Sequence, residues 1–126
     1  MPPIVGRLKR RAEFRRVARE GKKLAMQGLV LQAAPMAADA RLEPACDARL
    51  GLTVTRRIGG AVVRNRARRR LRAAAAEIFP SCARAGYDYV LIARRTTPTR
   101  PYRELVGDVK RALARLHRRR RPRPDA

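Results

Sequence analysis

The chain has 126 residues and a formal net charge of +22, because 32 Lys and Arg stand against only 10 Asp and Glu. The length allows one domain with one modest core, and a hydrophobic content of 45% excludes a wholly disordered chain. No segment supplies the ~20 apolar residues of a membrane-spanning helix, and the first residues lack the apolar region of a signal peptide. So large a positive charge opposes compaction unless a polyanion neutralises it, which makes nucleic acid the leading candidate partner.

The side chains that usually carry catalysis or bind metals are scarce. His117 is the only histidine, and the two cysteines, Cys46 and Cys82, are far apart and belong to no CxxC pair. We therefore expect a cytoplasmic protein with reduced thiols, without a metal site and without His-based catalysis.

The N-terminal part of the chain predicts a flexible arm followed by a helix. Residues 1–6 show no periodic pattern and are expected to be flexible. Within residues 7–20 apolar side chains, Phe14 among them, recur at helical spacing, and Gly21 follows where a helix would stop. A short amphipathic helix is therefore expected before this glycine.

The next segment predicts one strand and one loop. Lys22 and Lys23 form a basic turn, and the apolar residues 24–34, with Gly28 among them, favour a strand over a helix. Residues 35–48 contain two Pro and three of the acids, so we expect a connecting loop there.

The middle of the chain predicts a strand that runs into a long helix. In residues 50–57 leucine and valine alternate with small or polar residues, which is typical of a strand with one buried face. A Gly-Gly pair then opens a helix over residues 61–79, and Pro80 is expected to stop it.

The C-terminal part predicts a strand, a helix and a basic tail. Residues 87–94 have the apolar run of a central strand, and their Tyr87 and Tyr89 are expected in the core, the alternative being a stacking platform. An amphipathic helix follows, and residues 118–126 are expected to form a disordered basic tail. The order is therefore α-β-β-α-β-α, a single α+β domain over residues 7–117 with a mostly antiparallel central sheet packed by helices.

The predicted long helix begins in the most basic part of the chain. Residues 56–72 hold eight Arg, and no acid occurs between Asp47 and Glu77. The predicted apolar stripe consists of Val63, Ala67, Leu71, Ala74 and Ile78, with Arg70 at its edge.

Arginines one turn apart repel one another, and cations are unfavourable near a helix N-terminus. This pattern indicates a surface for an external anion, the alternative being a solvated charged face. Asn65 either contacts a base edge or a ribose, or is an exposed filler.

Three ordered blocks of the sequence resemble one protein family. Residues 51–72 read Gly-Leu-Thr-Val-Thr-Arg-Arg-Ile-Gly-Gly-Ala-Val-Val-Arg-Asn-Arg-Ala-Arg-Arg-Arg-Leu-Arg, which is similar to the signature of the protein subunit of bacterial ribonuclease P. Residues 7–22 are similar to the family's N-terminal helix with its Gly stop, and residues 86–94 to its late central strand. The resemblance covers residues 7–117, with residues 35–48 as a variable connector.

The resemblance implies a division of labour between protein and RNA. In this family the catalytic RNA and its Mg2+ ions hydrolyse the phosphodiester that releases the 5′ leader of precursor tRNA, while the protein binds that RNA and holds the leader. The protein itself is expected to have no catalytic residue and no bound metal or cofactor. The sequence agrees independently, because it has no carboxylate cluster, and Asp88 and Glu104 are interpreted as isolated acids. The expected partners are ribonuclease P RNA and precursor tRNA, with one protein monomer per catalytic RNA, and neither DNA nor a membrane. The family also implies a left-handed β-α-β crossover, where general chain topology predicts a right-handed one.

Position by position, the resemblance assigns residues to two surfaces. The residues assigned to docking on the catalytic RNA are Arg56, Arg57, Arg64, Asn65, Arg66, Arg68, Arg69 and Arg72. The residues assigned to leader binding are Phe14, Lys22 and Lys23. Phe14 either stacks a single-stranded base or belongs to the core. Ala18 and Gln32 stand where family members often have aromatic residues, so electrostatics and hydrogen bonds are expected to carry more of the leader contact.

Two other classes of function remain open on the sequence. A pure binding module for structured RNA, such as a ribosomal protein, would bind rRNA and leave the cleavage of precursor tRNA unchanged. A cationic membrane-active protein needs a helix with a broad apolar face, whereas residues 64–72 have a narrow, Ala-rich one. Reconstituted cleavage of precursor tRNA at low Mg2+ separates these classes from the ribonuclease P hypothesis.

Overall fold

The computed structural model describes residues 4–37 and 46–119. In this described part of the chain, three α-helices and five strands form the single α+β domain that the sequence predicts, although only three strands were expected. In chain order they are β1 (Val5–Arg7), α1 (Arg11–Glu20), β2 (Lys22–Ala25), β3 (Leu29–Pro35), β4 (Ala48–Thr53), α2 (Ala61–Cys82), β5 (Tyr87–Ala93) and α3 (Tyr102–Arg119). A short 3-10 turn, Arg56–Ile58, lies between β4 and α2.

The strands form one open, mixed sheet with the order β1-β4-β5-β3-β2. The β1–β4 and β4–β5 pairs are parallel, and the β5–β3 and β3–β2 pairs are antiparallel. The prediction of a mostly antiparallel sheet is therefore too strong, because the edge strand β1 adds a second parallel pair. β4 and β5 are the parallel neighbours that flank α2 in the chain, and the hand of this crossover stays a prediction.

Helices cover both faces of the sheet, and each face has its own apolar cluster. The larger cluster lies under α2 and α3 and includes Leu31 and Leu91 of the central strands. The smaller cluster lies under α1 and includes Val17 and Val90. Successive strand residues point to opposite faces. Val90 therefore belongs to the cluster under α1, and its neighbour Leu91 to the cluster under α2 and α3. Each of these fully buried side chains contributes about 1.5–3 kcal/mol relative to exposure.

The chain before α1 departs from the prediction. Val5–Arg7 pairs in parallel with β4 as an edge strand, where the sequence predicts a flexible arm over residues 1–6. The contact continues past the strand, because the Leu8 N–H donates to the Leu50 carbonyl oxygen at 3.0 Å. Three residues carry too little pattern to predict a strand, and pairing with a distant segment stabilises this one. Residues 1–3 lie outside the described residues.

The single strand predicted over residues 24–34 is a hairpin of β2 and β3. The turn between them is tight, since the Met26 N–H donates to the Leu29 carbonyl oxygen at 2.8 Å. Gly28 permits this turn to lie against α3, because a Cβ atom at this position would come within 2.5 Å of Asp108 Oδ2. The turn therefore depends on a close approach to a distant helix, which local pattern does not reveal.

α2 continues through Pro80 to Cys82, although the sequence predicts a stop before the proline. A proline removes one N–H donor from the helix. The last turn nevertheless closes after it, because the Ala83 N–H donates to the carbonyl oxygen of the buried Phe79 at 2.9 Å.

α3 extends to Arg119, so the first two residues of the tail predicted over 118–126 are helical. The rest of that tail and residues 38–45 of the predicted connector lie outside the described residues. The predictions for those two segments stay predictions.

Candidate nucleic-acid interface

The first half of α2 presents cationic and polar side chains away from the core. We call this row the α2 basic face; it consists of Arg64, Asn65, Arg66, Arg68, Arg69 and Arg72. Arg64 and Arg68 are half-buried and the others are exposed. On the opposite side Ala67 and Leu71 are fully buried in the larger cluster, as predicted. Val63 departs from the predicted stripe, since it is 37% exposed. The first buried residue of α2 is Ala67, so the first turn of the helix does not pack against the core.

No carboxylate neutralises this face in the described part of the chain. The described arginines that form ion pairs are Arg16, Arg19, Arg49, Arg100, Arg103 and Arg111. None of them belongs to the α2 basic face or to the Arg56–Ile58 turn. A merely solvated helix face would gain stability from interspersed Glu one turn away, and this one has none. Its positive charge is therefore not neutralised by any carboxylate of the described residues.

Few hydrogen bonds link the side chains within the α2 basic face. Arg68 Nη1 donates to Asn65 Oδ1 at 3.3 Å, so Asn65 orients a neighbouring guanidinium. Arg64 Nε is buried and has no hydrogen-bond partner among the described residues. Val62, 82% exposed, borders the face where it forms a shallow depression of about 430 Å³. The exposed guanidinium groups of Arg66, Arg69 and Arg72 favour charged oxygen acceptors such as phosphate.

Arginines next to the face differ in role. Arg70 donates to the carbonyl oxygens of Thr97 and Arg100, and thereby ties α2 to the connection between β5 and α3. This agrees with the position at the apolar edge that the sequence predicts for it. Arg56 and Arg57 are exposed in the 3-10 turn ahead of the α2 N-terminus. They therefore extend the basic surface beyond the helix.

α1 covers only part of its face of the sheet. Phe14 is half-buried, and its ring lies over Gly51 of β4, where a Cβ atom would come within 2.5 Å of Phe14 Cζ. The same face carries the half-buried Gln32 and Ile92 on β3 and β5. Half-burial leaves part of one aromatic ring beside this open surface, which is the arrangement that stacking on a single-stranded base requires.

The two lysines predicted to join Phe14 are both exposed on the edge strand β2, but they point to opposite faces of the sheet. Lys23 pairs with Gln32, on the face that Phe14 shares, whereas Lys22 pairs with Ala33, on the face of the larger cluster. β2 is three strand positions from β4, or about 14 Å at normal strand spacing. The structure therefore brings Lys23 onto the face of Phe14 and leaves Lys22 away from it.

A charged cluster that the sequence does not predict anchors α1 to the sheet. The fully buried Asp88 accepts hydrogen bonds from Arg49 Nε and Nη2, both at 2.8 Å, and from Arg16 Nη2 at 3.1 Å. Arg49 Nη1 also donates to Glu13 Oε2 at 2.6 Å. Asp88 is thus not an isolated acid. The signal is an acid in an apolar strand opposite an arginine of the next strand, and it can be seen only when the β4–β5 register is known.

Charges in this cluster stabilise one another's ionised forms. The hydrogen bond to Asp88 raises the pKa of Arg49 above its usual range. Burial acts to raise the pKa of Glu13, but the N–H groups of Arg10 and Lys9, together with the charge of Arg49, outweigh it and lower that pKa. The same two N–H donors bond Glu13 Oε1 at the start of α1, in the manner of a capping box. The cluster therefore fixes the position of α1, and with it that of Phe14.

The remaining candidate groups for other functions have structural explanations. Tyr89 and His117 lie in or beside the larger cluster, with Tyr89 Oη and His117 Nε2 2.7 Å apart, so Tyr89 is a core residue as predicted. Over residues 4–37 and 46–119, no three His, Cys, Asp or Glu side chains come close enough to hold a metal ion. None of the helices in that part of the chain is long and apolar enough to cross a membrane.

Comparison with known proteins gives one consistent match. The family model described as Ribonuclease P matches residues 4–117. A ribonuclease P protein component from Paramagnetospirillum magneticum is 52% identical over 116 residues, which cover 92% of this chain and 86% of that protein. One from Gluconacetobacter diazotrophicus is 47% identical over 107 residues, covering 85% of this chain and 87% of that protein.

Solved structures agree with these sequence matches. The RNase P protein from Thermotoga maritima has a TM-score of 0.70 and 25% sequence identity, covering 86% of this chain and 96% of that one. The RNase P protein from Staphylococcus aureus has a TM-score of 0.70 at 24% identity, covering 86% of this chain and 92% of that one, and supports the fold alone.

Proposed function

The chain belongs to the family of ribonuclease P protein components, and from this premise we propose that it has two RNA-binding surfaces. The α2 basic face binds the catalytic RNA, and the sheet face beside α1 holds the 5′ leader of precursor tRNA. The family acts in tRNA processing as part of a ribonucleoprotein endoribonuclease. In this proposal the RNA subunit and its Mg2+ ions cleave the phosphodiester, and the protein positions the RNA and the substrate.

The observation that carries the proposal is the absence, in the described residues, of any carboxylate paired with the α2 basic face. Guanidinium groups bind phosphate oxygens bidentately. Each phosphate that the protein neutralises releases counterions from the RNA, which makes affinity depend on salt. If about six arginines engage phosphates, log affinity falls with log salt at a slope of about −4 to −5.

The sheet face beside α1, which we call the leader surface, offers one aromatic ring and one cation. Phe14 is half-buried over β4, and stacking of one base on such a ring contributes about 1–3 kcal/mol. Lys23 supplies a positive charge on the same face, and Gln32 between them supplies an amide. Lys22 points to the other face and is not part of this surface.

One copy of the protein per catalytic RNA is part of the proposal. The only large hydrophobic side chains exposed in the described part of the chain are Ile4, Val62 and Val63. A stable interface between two copies normally buries about 800 Å² on each partner, with an apolar centre. Three such side chains do not form a surface of that kind.

Reconstituted cleavage tests the first surface. The protein, added to a bacterial ribonuclease P RNA, should raise the cleavage of precursor tRNA at low Mg2+. The double variant Arg68→Ala/Arg69→Ala should bind the catalytic RNA more weakly, with a salt slope reduced to about −3. Its control is Arg103→Ala/Arg111→Ala, which removes the same charge from arginines already paired with acids, and should change affinity little.

Three outcomes would contradict the proposal. Absence of any stimulation contradicts the proposed role of this chain in the cleavage of precursor tRNA. Binding to the catalytic RNA without stimulation of cleavage indicates a general module for structured RNA. Equal losses in the test and control variants would mean that net charge, and not the α2 basic face, determines affinity.

Two substitutions of Phe14 test the leader surface. Phe14→Leu keeps the apolar contact over Gly51 but removes the ring, and Phe14→Ala removes both. If the ring stacks a base, each variant should lose at least about fivefold of the preference for precursor over mature tRNA, since about 1–3 kcal/mol corresponds to about 5- to 150-fold. Affinity for the catalytic RNA should fall less than this preference. If Phe14→Leu behaves like the unchanged protein, the residue is only part of the core.

A further inference from the structure

A groove lies between α2 and the outer strands of the sheet. It has a volume of about 660 Å³, and its lining includes Leu50 and Leu52 of β4 and Phe79 of α2. We call it the α2 groove. Its volume falls within the range of about 300–1,000 Å³ that is usual for pockets binding small molecules.

The α2 groove exists because both of its walls lack side-chain volume. β1 pairs with β4 only as far as Arg7 and Leu50, so the outer edge of β4 beyond Leu50 is not covered by that strand. On the opposite wall α2 presents Ala75 and Ala76. Large side chains at these alanines would fill the space, and the sequence has none there.

The lining combines an apolar floor with a cationic rim. Of its described residues none is acidic, and the cationic ones are Arg7, Lys9, Arg68 and Arg72. None of the four takes part in an ion pair within residues 4–37 and 46–119. A suitable occupant therefore has a flat apolar body flanked by negative charges. A nucleotide of single-stranded RNA has both, in its base and its two phosphates.

We propose that the α2 groove binds one unpaired nucleotide of the catalytic RNA. Its base inserts between α2 and β4 against Leu52 and Ala76, while Arg68 and Arg72 bind the phosphates on either side. The inference rests on the proposed function, because Arg68 and Arg72 are members of the α2 basic face, so an RNA bound to that face passes the mouth of the groove. Phe14 lines the groove as well, so the inserted base lies between the two proposed RNA surfaces.

A pair of matched substitutions tests the site without changing charge. Ala76→Trp blocks the groove, whereas Ala73→Trp adds the same side chain at an exposed position of α2 outside the lining. Ala76→Trp should lower the affinity for a bacterial ribonuclease P RNA, measured without tRNA, about tenfold with an unchanged salt slope. Ala73→Trp should bind like the unchanged protein, and circular dichroism should show both variants folded.

A second measurement locates the nucleotide. Ala76→Cys, in a protein whose Cys46 and Cys82 are replaced by Ser, carries a tethered iron-EDTA group that cleaves the RNA nearest to the groove. Removing the base at that nucleotide should weaken binding of the unchanged protein about tenfold. It should cost the Ala76→Trp variant nothing further, because one contact cannot be lost twice.

Contrary results separate this inference from the proposed function. Equal affinities of Ala76→Trp and Ala73→Trp, in a system where the unchanged protein stimulates cleavage, overturn the nucleotide site alone. A lost preference for precursor tRNA, with unchanged affinity for the catalytic RNA, assigns the groove to the leader and also overturns it. If the unchanged protein neither binds the catalytic RNA nor stimulates cleavage, both proposals fail.

Discussion

The buried carboxylate of Asp88 should be worth far more to stability than an exposed aspartate, and Asp88→Asn measures the difference. The carboxylate accepts three hydrogen bonds, two from Arg49 at 2.8 Å and one from Arg16 at 3.1 Å. An amide of the same shape keeps one oxygen and places an NH2 group against guanidinium donors. At least one of the three donors then loses its acceptor, and both arginines lose their buried counter-charge.

The size of the expected loss in unfolding free energy depends on the hydrogen bonds that Arg49 and Arg16 keep in the variant. Removing one partner of a buried ion pair costs about 3–5 kcal/mol when the other charge is left without compensation. Here Arg49 keeps Glu13 at 2.6 Å, Arg16 keeps the Pro35 carbonyl oxygen at 2.7 Å, and their side chains are 15% and 19% exposed. We therefore expect a loss of about 2–3 kcal/mol in the free energy of unfolding, or about 10 °C in Tm.

The assay is urea unfolding followed by far-UV circular dichroism, because the chain has no Trp to report by fluorescence and because a guanidinium salt would screen the charges. Asp47→Asn is the control, since it changes net charge equally at an exposed residue with one hydrogen bond, from the Ile4 N–H at 2.8 Å. If the two variants lie within about 0.5 kcal/mol of each other, the cluster does not anchor α1 and the reasoning is wrong.

Two further predictions concern the position of α1. Gly51→Ala should destabilise the protein by about 1–3 kcal/mol and lower the preference for precursor tRNA, because the added Cβ atom displaces the Phe14 ring. Gly60→Ala, with nothing within 4 Å of its Cβ atom, is the control for unfolding and cleavage assays and should cost less. The lowered pKa of Glu13 means that the folded state favours its ionised form, so its stabilisation is present above about pH 4.5 and lost as the pH falls through the folded pKa. The difference in unfolding free energy between the unchanged protein and Glu13→Gln should therefore shrink on acidification, and a difference independent of pH would contradict this.

Local pattern predicts the longer elements and misses the shorter ones for a physical reason. Alternation identifies Leu50 and Leu52 as the buried side of β4 without knowledge of the partner strands, and both pack against the larger cluster. β1 has three residues and is a strand only because it pairs with β4, far along the chain. The hairpin at Gly28 likewise depends on how closely α3 approaches. Elements whose stability comes from distant partners leave little trace in a window of neighbouring residues.

The candidate site likewise has one part that the sequence predicts and another that it does not. The α2 basic face could be predicted because a helix face is made of residues close in sequence, and because no acid occurs between Asp47 and Glu77. The contact of Arg49 with Asp88 depends on the register of two parallel strands that a whole helix separates in the chain. For the same reason sequence alone could not show that Lys22 and Lys23 serve different faces of the sheet, since the single strand predicted there begins after them.

The placement of the few acids explains how so basic a chain can fold and still present a bare cationic surface. The described acids are Glu13, Glu20, Asp47, Glu77, Asp88, Glu104 and Asp108. The two buried ones, Asp88 and Asp108, each bind two arginines where α1 and α3 pack, so they compensate cations that folding would otherwise leave partly buried without a partner. A Glu one turn from the arginines of the α2 basic face would stabilise the isolated helix by a few tenths of a kcal/mol, and it would also repel phosphate. Acids therefore occur where the fold needs them and are absent from the face that we propose binds RNA. This is the charge distribution expected of a protein whose neutralisation is completed by RNA.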